Sequence, residues 1–211
     1  LIIEEGITSI SSYAFDRCEN LTSVTLPKSL VEILNNAFEN CSSLKSIDIP
    51  EGVTTIDSGA FSFCGLTSVK LPNSLISFNS AFSFCKSLPS ITIPNSVKVI
   101  DSYAFCHCES LTSIVIPLGV TAIKEHAFSG CTSLTSVSIP FSVTEIGKKA
   151  FVNCEKLRSV NVPNKRAIID PYAGWSPDPF VKGHTFITQN EESPAESKSS
   201  IAQAVPQAVE V

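Results

Sequence analysis

The stretch "CESLTSIVIPLGVTAIKEHAFSGC", residues 108–131, decides the fold, because the chain repeats it at once. Residues 131–154 read "CTSLTSVSIPFSVTEIGKKAFVNC", with the cysteines, a proline and an Ala-Phe pair in the same places. A fixed period of about 20–50 residues is typical of stacked repeats. The chain of 211 residues is therefore predicted to form an array in which each unit buries its apolar side chains against the next unit.

Two columns of residues mark this period along the chain. A cysteine recurs at spacings of 23, 23, 21, 23, 23 and 23 residues, and a phenylalanine stands three residues before each one. We predict that the phenylalanines stack as a ladder in the core, with the cysteines beside them as reduced, buried thiols. The phenylalanines are Phe15, Phe38, Phe61, Phe82, Phe105, Phe128 and Phe151, and the cysteines are Cys18, Cys41, Cys64, Cys85, Cys108, Cys131 and Cys154.

Each unit contains two short β-type stretches and one turn. The first stretch alternates, is rich in valine and isoleucine, and ends at a proline, which indicates a short strand. The second, such as "VTEIG" at residues 143–147, indicates another short strand. The "AFxxC" stretch is too short for a stable isolated helix and predicts a turn or a single helical turn. The predicted fold is a mainly β repeat solenoid of about seven 23-residue coils.

One unit, from Cys64 to Cys85, is two residues shorter than the others. One residue is missing directly after Cys64, and the other is missing between Phe78 and Phe82. Both gaps fall at predicted turns, so we expect the core columns to keep their register.

The unit "LTSVxIPxxVTxIxxxAFxxC" resembles the BspA-like class of leucine-rich repeat, over residues 1 to about 170. The resemblance implies a right-handed leucine-rich-repeat solenoid. It also implies a cell-surface or secreted adhesion protein that binds a protein or glycan partner, possibly host-derived. One departure is that serine or glycine stands where the commoner consensus has Asn or Cys, so a buried asparagine ladder is not expected. These positions are Ser29, Gly52, Ser74, Ser96, Gly119 and Ser142.

The repeat pattern decays towards the end of the chain. We predict a solenoid over residues 1–170, a C-terminal cap over residues 171–187 that contains Trp175 and Phe180, and a flexible low-complexity tail over residues 188–211. A cap is expected because the last coil of stacked apolar columns has to be covered.

Composition, charge and the lack of catalytic motifs disfavour several classes of function. A net charge of −5, spread along the chain, disfavours nucleic acid as a partner, since that needs a clustered basic face. No apolar run is long enough to span a membrane. No paired carboxylates, metal-ligand cluster, triad or phosphate loop can be placed, so we predict no enzyme activity, no metal and no cofactor. We expect a monomer.

Cys106 stands outside the cysteine column, one residue after Phe105. The residues at its position in other coils predict an exposed thiol that reacts first with a thiol reagent. Two alternatives stay open at this point. The sequence "CHC" at residues 106–108 is compatible with a metal site, and Cys106 with His126 is compatible with a nucleophile–base pair.

The candidate partner-binding residues lie at two places in the unit. Leu118 and Phe141 interrupt a polar column directly after the proline. Val115, Lys70 and Asp48 lie on the outward face of the first strand and are the alternative. Exposed apolar residues often mark contact sites, although a flanking segment could also cover them.

Three functions follow from this pattern. The first is a non-enzymatic interaction or adhesion module at the cell surface or in the secreted fraction. The second is a cytoplasmic scaffold of the same fold. The third is an array that targets an attached enzyme.

Overall fold

The computed structural model describes residues 1–174 and 186–188 of the chain. The chain winds as a parallel β-solenoid of about seven turns with about 23 residues per turn, which confirms the predicted fold class. The "AFxxC" stretches are turns, and the described ranges contain no helix.

Every coil contributes strands at one or both of two positions. The strands at the first position have three residues and are called the long strands here: β3 (Ser46–Asp48), β5 (Ser68–Lys70), β7 (Ser113–Val115), β9 (Ser136–Ser138), β11 (Ser159–Asn161) and β13 (Phe186–Thr188). Those at the second position have two residues and are called the short strands: β1 (Ser9–Ile10), β2 (Glu32–Ile33), β4 (Thr55–Ile56), β6 (Val99–Ile100), β8 (Ala122–Ile123), β10 (Glu145–Ile146) and β12 (Ile168–Ile169).

Strands pair in parallel with equivalent residues opposite each other. Ser46 pairs with Ser68 in the long strands, and Ile10 pairs with Ile33 in the short strands. In β3 and β7 the middle residue points inward while its two neighbours are exposed, as the two-residue alternation of a strand requires. The serines at the start of β3 and β7 therefore face outward.

The phenylalanine rings stack through the core. Six successive pairs have ring centroids 5.0–6.0 Å apart and interplanar angles of 13° or less. The N–H of each ladder phenylalanine donates to the carbonyl of the alanine one coil further on, from Phe15 N to Ala37 O at 2.8 Å through Phe151 N to Ala173 O at 2.8 Å. These hydrogen bonds between coils thus continue to Ala173.

Side chains form further ladders between coils. Each column cysteine from Cys41 to Cys154 places its Sγ 3.0–3.2 Å from the carbonyl oxygen of the phenylalanine in the preceding coil. The hydroxyls of Ser29 and Ser74 donate to the carbonyls of Ile7 and Val53, both at 2.8 Å. Backbone carbonyls need a hydrogen-bond donor, and these cysteines and serines supply it from the next coil.

The prediction that Cys106 is exposed is wrong. Cys106 is only 6% exposed, and Ser62, Ser83, Ser129 and Val152, at the same position in other coils, are buried as well. The position lies between two left-handed residues, Tyr103 (φ 60°) and His107 (φ 56°), that fold the turn around it.

The left-handed residues recur in every regular coil at two positions. Holding a non-glycine residue there costs about 1–2 kcal/mol. Hydrogen bonds to the next coil offset this cost, for example from His107 N to Ser129 O at 2.7 Å and from Tyr103 N to Glu125 O at 3.0 Å.

At the C-terminal end, β13 pairs in parallel with β11. Trp175 and Phe180, which we assigned to the cap, lie outside the described residues, as does the predicted tail beyond residue 188. The division into solenoid, cap and tail stays a prediction.

Candidate partner-binding surface

Three exposed apolar side chains lie on two consecutive coils of the solenoid. Leu118 is 82% exposed, Val115 is 72% exposed and Phe141 is 65% exposed. Leu118 and Phe141 occupy the same post-proline turn in consecutive coils, which are about 4.8 Å apart in a parallel stack. Val115 ends β7, three residues before Leu118. We call Val115, Leu118 and Phe141 the apolar patch.

The patch opens into shallow grooves on both sides. Val115 lines one groove together with Ser90, Thr92 and Ser113, the outward residues of two neighbouring coils. Phe141 lines another, in which the residues of the next coil carry positive charge. The full lining of that groove is Phe141, Thr144, Pro163, Asn164, Lys165 and Arg166.

Asp48 and Lys70, the strand-face alternative, lie opposite each other at the ends of β3 and β5. The Nζ of Lys70 is 3.3 Å from Oδ2 of Asp48, and both side chains are exposed. An exposed ion pair of this kind contributes at most about 1 kcal/mol to stability. The pair lies in an earlier part of the array than Val115, the third strand-face candidate. The structure therefore separates Asp48 and Lys70 from Val115, which lies three residues before Leu118.

Two glutamates of the post-proline column, Glu51 and Glu5 (which follows Glu4 where later coils have proline), bond to the backbone of the next coil. Glu5 accepts hydrogen bonds from the N–H groups of Lys28 at 3.0 Å and Ser29 at 3.3 Å. Glu51 accepts one from the N–H of Asn73, at 3.1–3.2 Å from its two oxygens. The N–H of Lys28 is the main reason why the pKa of Glu5 is lowered. Leu118 and Phe141 have no side-chain acceptor with which to continue this pattern.

The turns opposite the patch carry two stacks of aromatic rings. Phe84 lies between Phe63, at 4.5 Å, and His107, at 4.8 Å, as measured between ring centroids. Tyr103 stacks on His126 at 4.9 Å. The sequence did not predict the Tyr103–His126 stack. The 23-residue spacing of Tyr103 and His126 was the signal that could have revealed it.

These stacks determine the chemistry of Cys106. Cys106 lines one groove together with Ser129, Val152 and the rings of both stacks, which are Phe84, His107, Tyr103 and His126. Burial raises the pKa of the Cys106 thiol and lowers the pKa of His126. A protonated, covered thiol is a poor nucleophile. Within the described ranges, no three His, Cys, Asp or Glu side chains are grouped so that they could hold a metal ion.

No helix among the described residues is long and apolar enough to cross a membrane.

Three solved structures from bacteria resemble this one. The chain is 25% identical to a leucine-rich repeat protein from Bacteroides ovatus, with a TM-score of 0.73 over 80% of this chain and 50% of that one. It is 33% identical to a T. pallidum leucine-rich repeat protein, with a TM-score of 0.70 over 74% of this chain and 77% of that one. A leucine-rich cell surface protein from Faecalibacterium prausnitzii is 30% identical, with a TM-score of 0.55 over 74% of this chain and 57% of that one.

The chain therefore spans half the length of the Bacteroides ovatus protein. No curated protein sequence matches the chain significantly. The sequence model of the BspA-type leucine-rich repeat region matches six copies, over residues 1–81 and 60–175. This match covers most of the chain, and this protein belongs to the BspA-type leucine-rich repeat family.

Proposed function

We propose that this chain is a non-enzymatic interaction module that binds a protein partner at the cell surface through the apolar patch. Leucine-rich repeats form a scaffold fold for protein interaction. The observation that carries the proposal is the exposure of Leu118, Val115 and Phe141. In earlier coils the post-proline position is polar, with Lys28, Glu51, Asn73 and Asn95.

The chemistry of the patch favours a protein partner over a glycan. Aliphatic and aromatic side chains at the centre of an interface often contribute more than 1 kcal/mol each to binding. A glycan would instead favour the serine-lined face of the long strands, which offers hydroxyl groups.

A surface location is supported by the likeness to the Faecalibacterium prausnitzii protein, which is named a cell surface protein. The purified chain would be tested against surface-protein fractions, with a photo-crosslinking residue at position 138, which lies opposite Val115 in β9, and mass spectrometry of the products.

The decisive variant replaces Leu118 and Phe141 together with asparagine, the residue found at this position in Asn73 and Asn95. If the patch is the contact, the variant loses the crosslinked partner and keeps its melting temperature, because both side chains are exposed. Ile76→Asn, which changes an apolar side chain that is 59% exposed elsewhere, is the matched control and should keep partner binding.

Two results would contradict the proposal. A lower melting temperature in the double variant would mean that another segment of the chain covers the patch. Unchanged crosslinking would indicate that the contact lies on the strand face that contains Asp48 and Lys70.

A further inference from the structure

We infer that the turn at Phe141 binds a carboxylate through the backbone N–H groups of Phe141 and Ser142, which we call the notch. The partner's segment then presents an acidic side chain next to apolar ones. This inference rests on the proposed function and specifies the chemistry of the segment that the apolar patch binds.

The chain itself shows how a carboxylate binds at this turn. In two coils a glutamate in the post-proline column accepts hydrogen bonds from the backbone of the next coil: Glu5 from Lys28 and Ser29, and Glu51 from Asn73. Hydrogen bonds from backbone N–H groups to a carboxylate are charge-assisted and stronger than neutral ones. The turn geometry that recurs every coil is therefore suited to anionic oxygen.

At Phe141 no carboxylate of the chain itself fills the equivalent site. The preceding residue in the column is Leu118, and no acceptor for the N–H of Phe141 or Ser142 is found among the described residues. Leu118 is 82% exposed, so little of its side chain packs against the next turn.

Ser142 also differs from its equivalents. The hydroxyls of Ser29 and Ser74 each accept from a glycine N–H and donate to a carbonyl of the preceding coil. The Ser142 hydroxyl is buried and has no hydrogen-bond partner in the described part of the chain. Buried polar groups without a partner are uncommon in folded proteins, so this turn lacks the bonds that complete the equivalent turns.

The surroundings favour an acidic peptide. Lys165 and Arg166 line the groove beside Phe141, one coil beyond the notch, and bring two positive charges to it. Opposite charge across an interface increases both specificity and the rate of association. Leu118 and Phe141 flank the notch with apolar surface, which suits leucine or phenylalanine next to the acidic residue.

The test uses two synthetic peptides that differ only in charge at the centre, acetyl-Leu-Glu-Phe-amide and acetyl-Leu-Gln-Phe-amide. Each is titrated into the isotopically labelled chain while the amide resonances of Phe141 and Ser142 and the methyl resonances of Leu118 and Val115 are followed by NMR. We expect the glutamate peptide to move the Phe141 amide proton downfield in a saturable manner. The glutamine peptide should bind about fivefold to tenfold more weakly.

Two variants provide matched controls. Leu118→Glu places in the chain's own column the carboxylate that Glu5 and Glu51 supply elsewhere, so its Phe141 amide should already be shifted and should no longer respond to the peptide. Leu118→Gln has the same length without the charge and should leave the Phe141 amide near its original position.

The outcomes separate this inference from the proposed function. If both peptides move the methyl resonances equally and neither moves the Phe141 amide, the notch is wrong and the apolar contact stands. If neither peptide moves any of these resonances, the notch is also wrong, while the crosslinking experiment decides the proposed function independently.

Discussion

The cysteine column is explained at the scale of single residues. Burial raises the pKa of Cys85 and Cys154 to about 12, and it raises the pKa of Cys108 and Cys131 as well. These thiols stay protonated at neutral pH and act as small apolar side chains that also donate a weak hydrogen bond. All eight cysteines are free, and all lie within the described residues.

Cys18 should react first with a thiol reagent under native conditions. It is the one cysteine of the eight that is partly exposed, whereas the other seven, Cys106 included, are buried. Mass-spectrometric mapping over time should show Cys18 labelled early and the others only on denaturation. Cys18→Ser should remove the fast phase, and labelling of Cys106 as fast as Cys18 would contradict the burial described here.

Phe105→Ala should lower the free energy of unfolding by about 3–5 kcal/mol, because it leaves a cavity in the middle of the ladder. Phe105 is fully buried and stacks on Phe82 and Phe128. Ser129 is buried and cannot serve as an exposed control. Ser113→Ala on the outward strand face is the proper control and should change the stability by less than about 0.5 kcal/mol in chemical denaturation. Equal effects of the two substitutions would mean that the buried and exposed positions of the coil are wrongly assigned.

At the scale of one element, the short coil shows how a deletion is accommodated. The left-handed residue that precedes the Ala-Phe pair in regular coils has no counterpart between Phe78 and Ala81. Phe78 takes the position that Ile100 and its equivalents hold in other coils. It is fully buried and contacts Phe82 and Phe105 at ring-centroid distances of 6.0 and 5.5 Å. The larger side chain fills the core of a coil with a shorter backbone.

Phe78→Ile should therefore destabilise the array by about 1–2 kcal/mol, although isoleucine is the residue found at this position in regular coils. The reverse change, Ile100→Phe, should cost about 1–3 kcal/mol through overpacking. Inserting a glycine after Ser80 restores the regular five-residue step from position 78 to the ladder phenylalanine and should rescue Phe78→Ile, as measured by the melting temperatures of the single and double variants. Additive losses in the double variant would show that side-chain size and coil length are not coupled.

At the scale of the whole molecule, stability depends on contacts between neighbouring coils. The strand β13 continues the long-strand position after a gap of 24 residues from Asn161, and each of its residues pairs with one residue of β11. Without β13, the hydrogen-bonding groups of β11 on that side would be an open edge, which is prone to pair with other chains.

Ending the chain after Gly174 should therefore lower the melting temperature by several degrees and promote aggregation, whereas ending it after Thr188 should change the melting temperature little. The first truncation removes β13, and the second removes only the polar, low-complexity segment. Calorimetry and light scattering on the two truncations check this. A large loss from the shorter truncation would show that residues 189–211 contribute to stability.

The repeat period alone determined the stacking of coils, the fold class and the pairing of equivalent residues. The reason is that a residue repeated every 23 positions must lie over its own copy once the units stack. The rings of Phe38 and Phe61, only 2° from parallel, follow directly from their spacing. The two gaps around the short coil could be placed at turns for the same reason.

Only the tertiary structure decided what each turn position touches. Cys106 is buried in a turn that it shares with rings from neighbouring coils, among them Phe84 and His126. The open N–H of Phe141 depends on which side chain the preceding coil places against it. Alternation predicts the direction of a side chain in a strand, but a turn with left-handed residues has no such rule. Exposure in the turns is therefore set by contacts between coils, which a single unit of sequence does not contain.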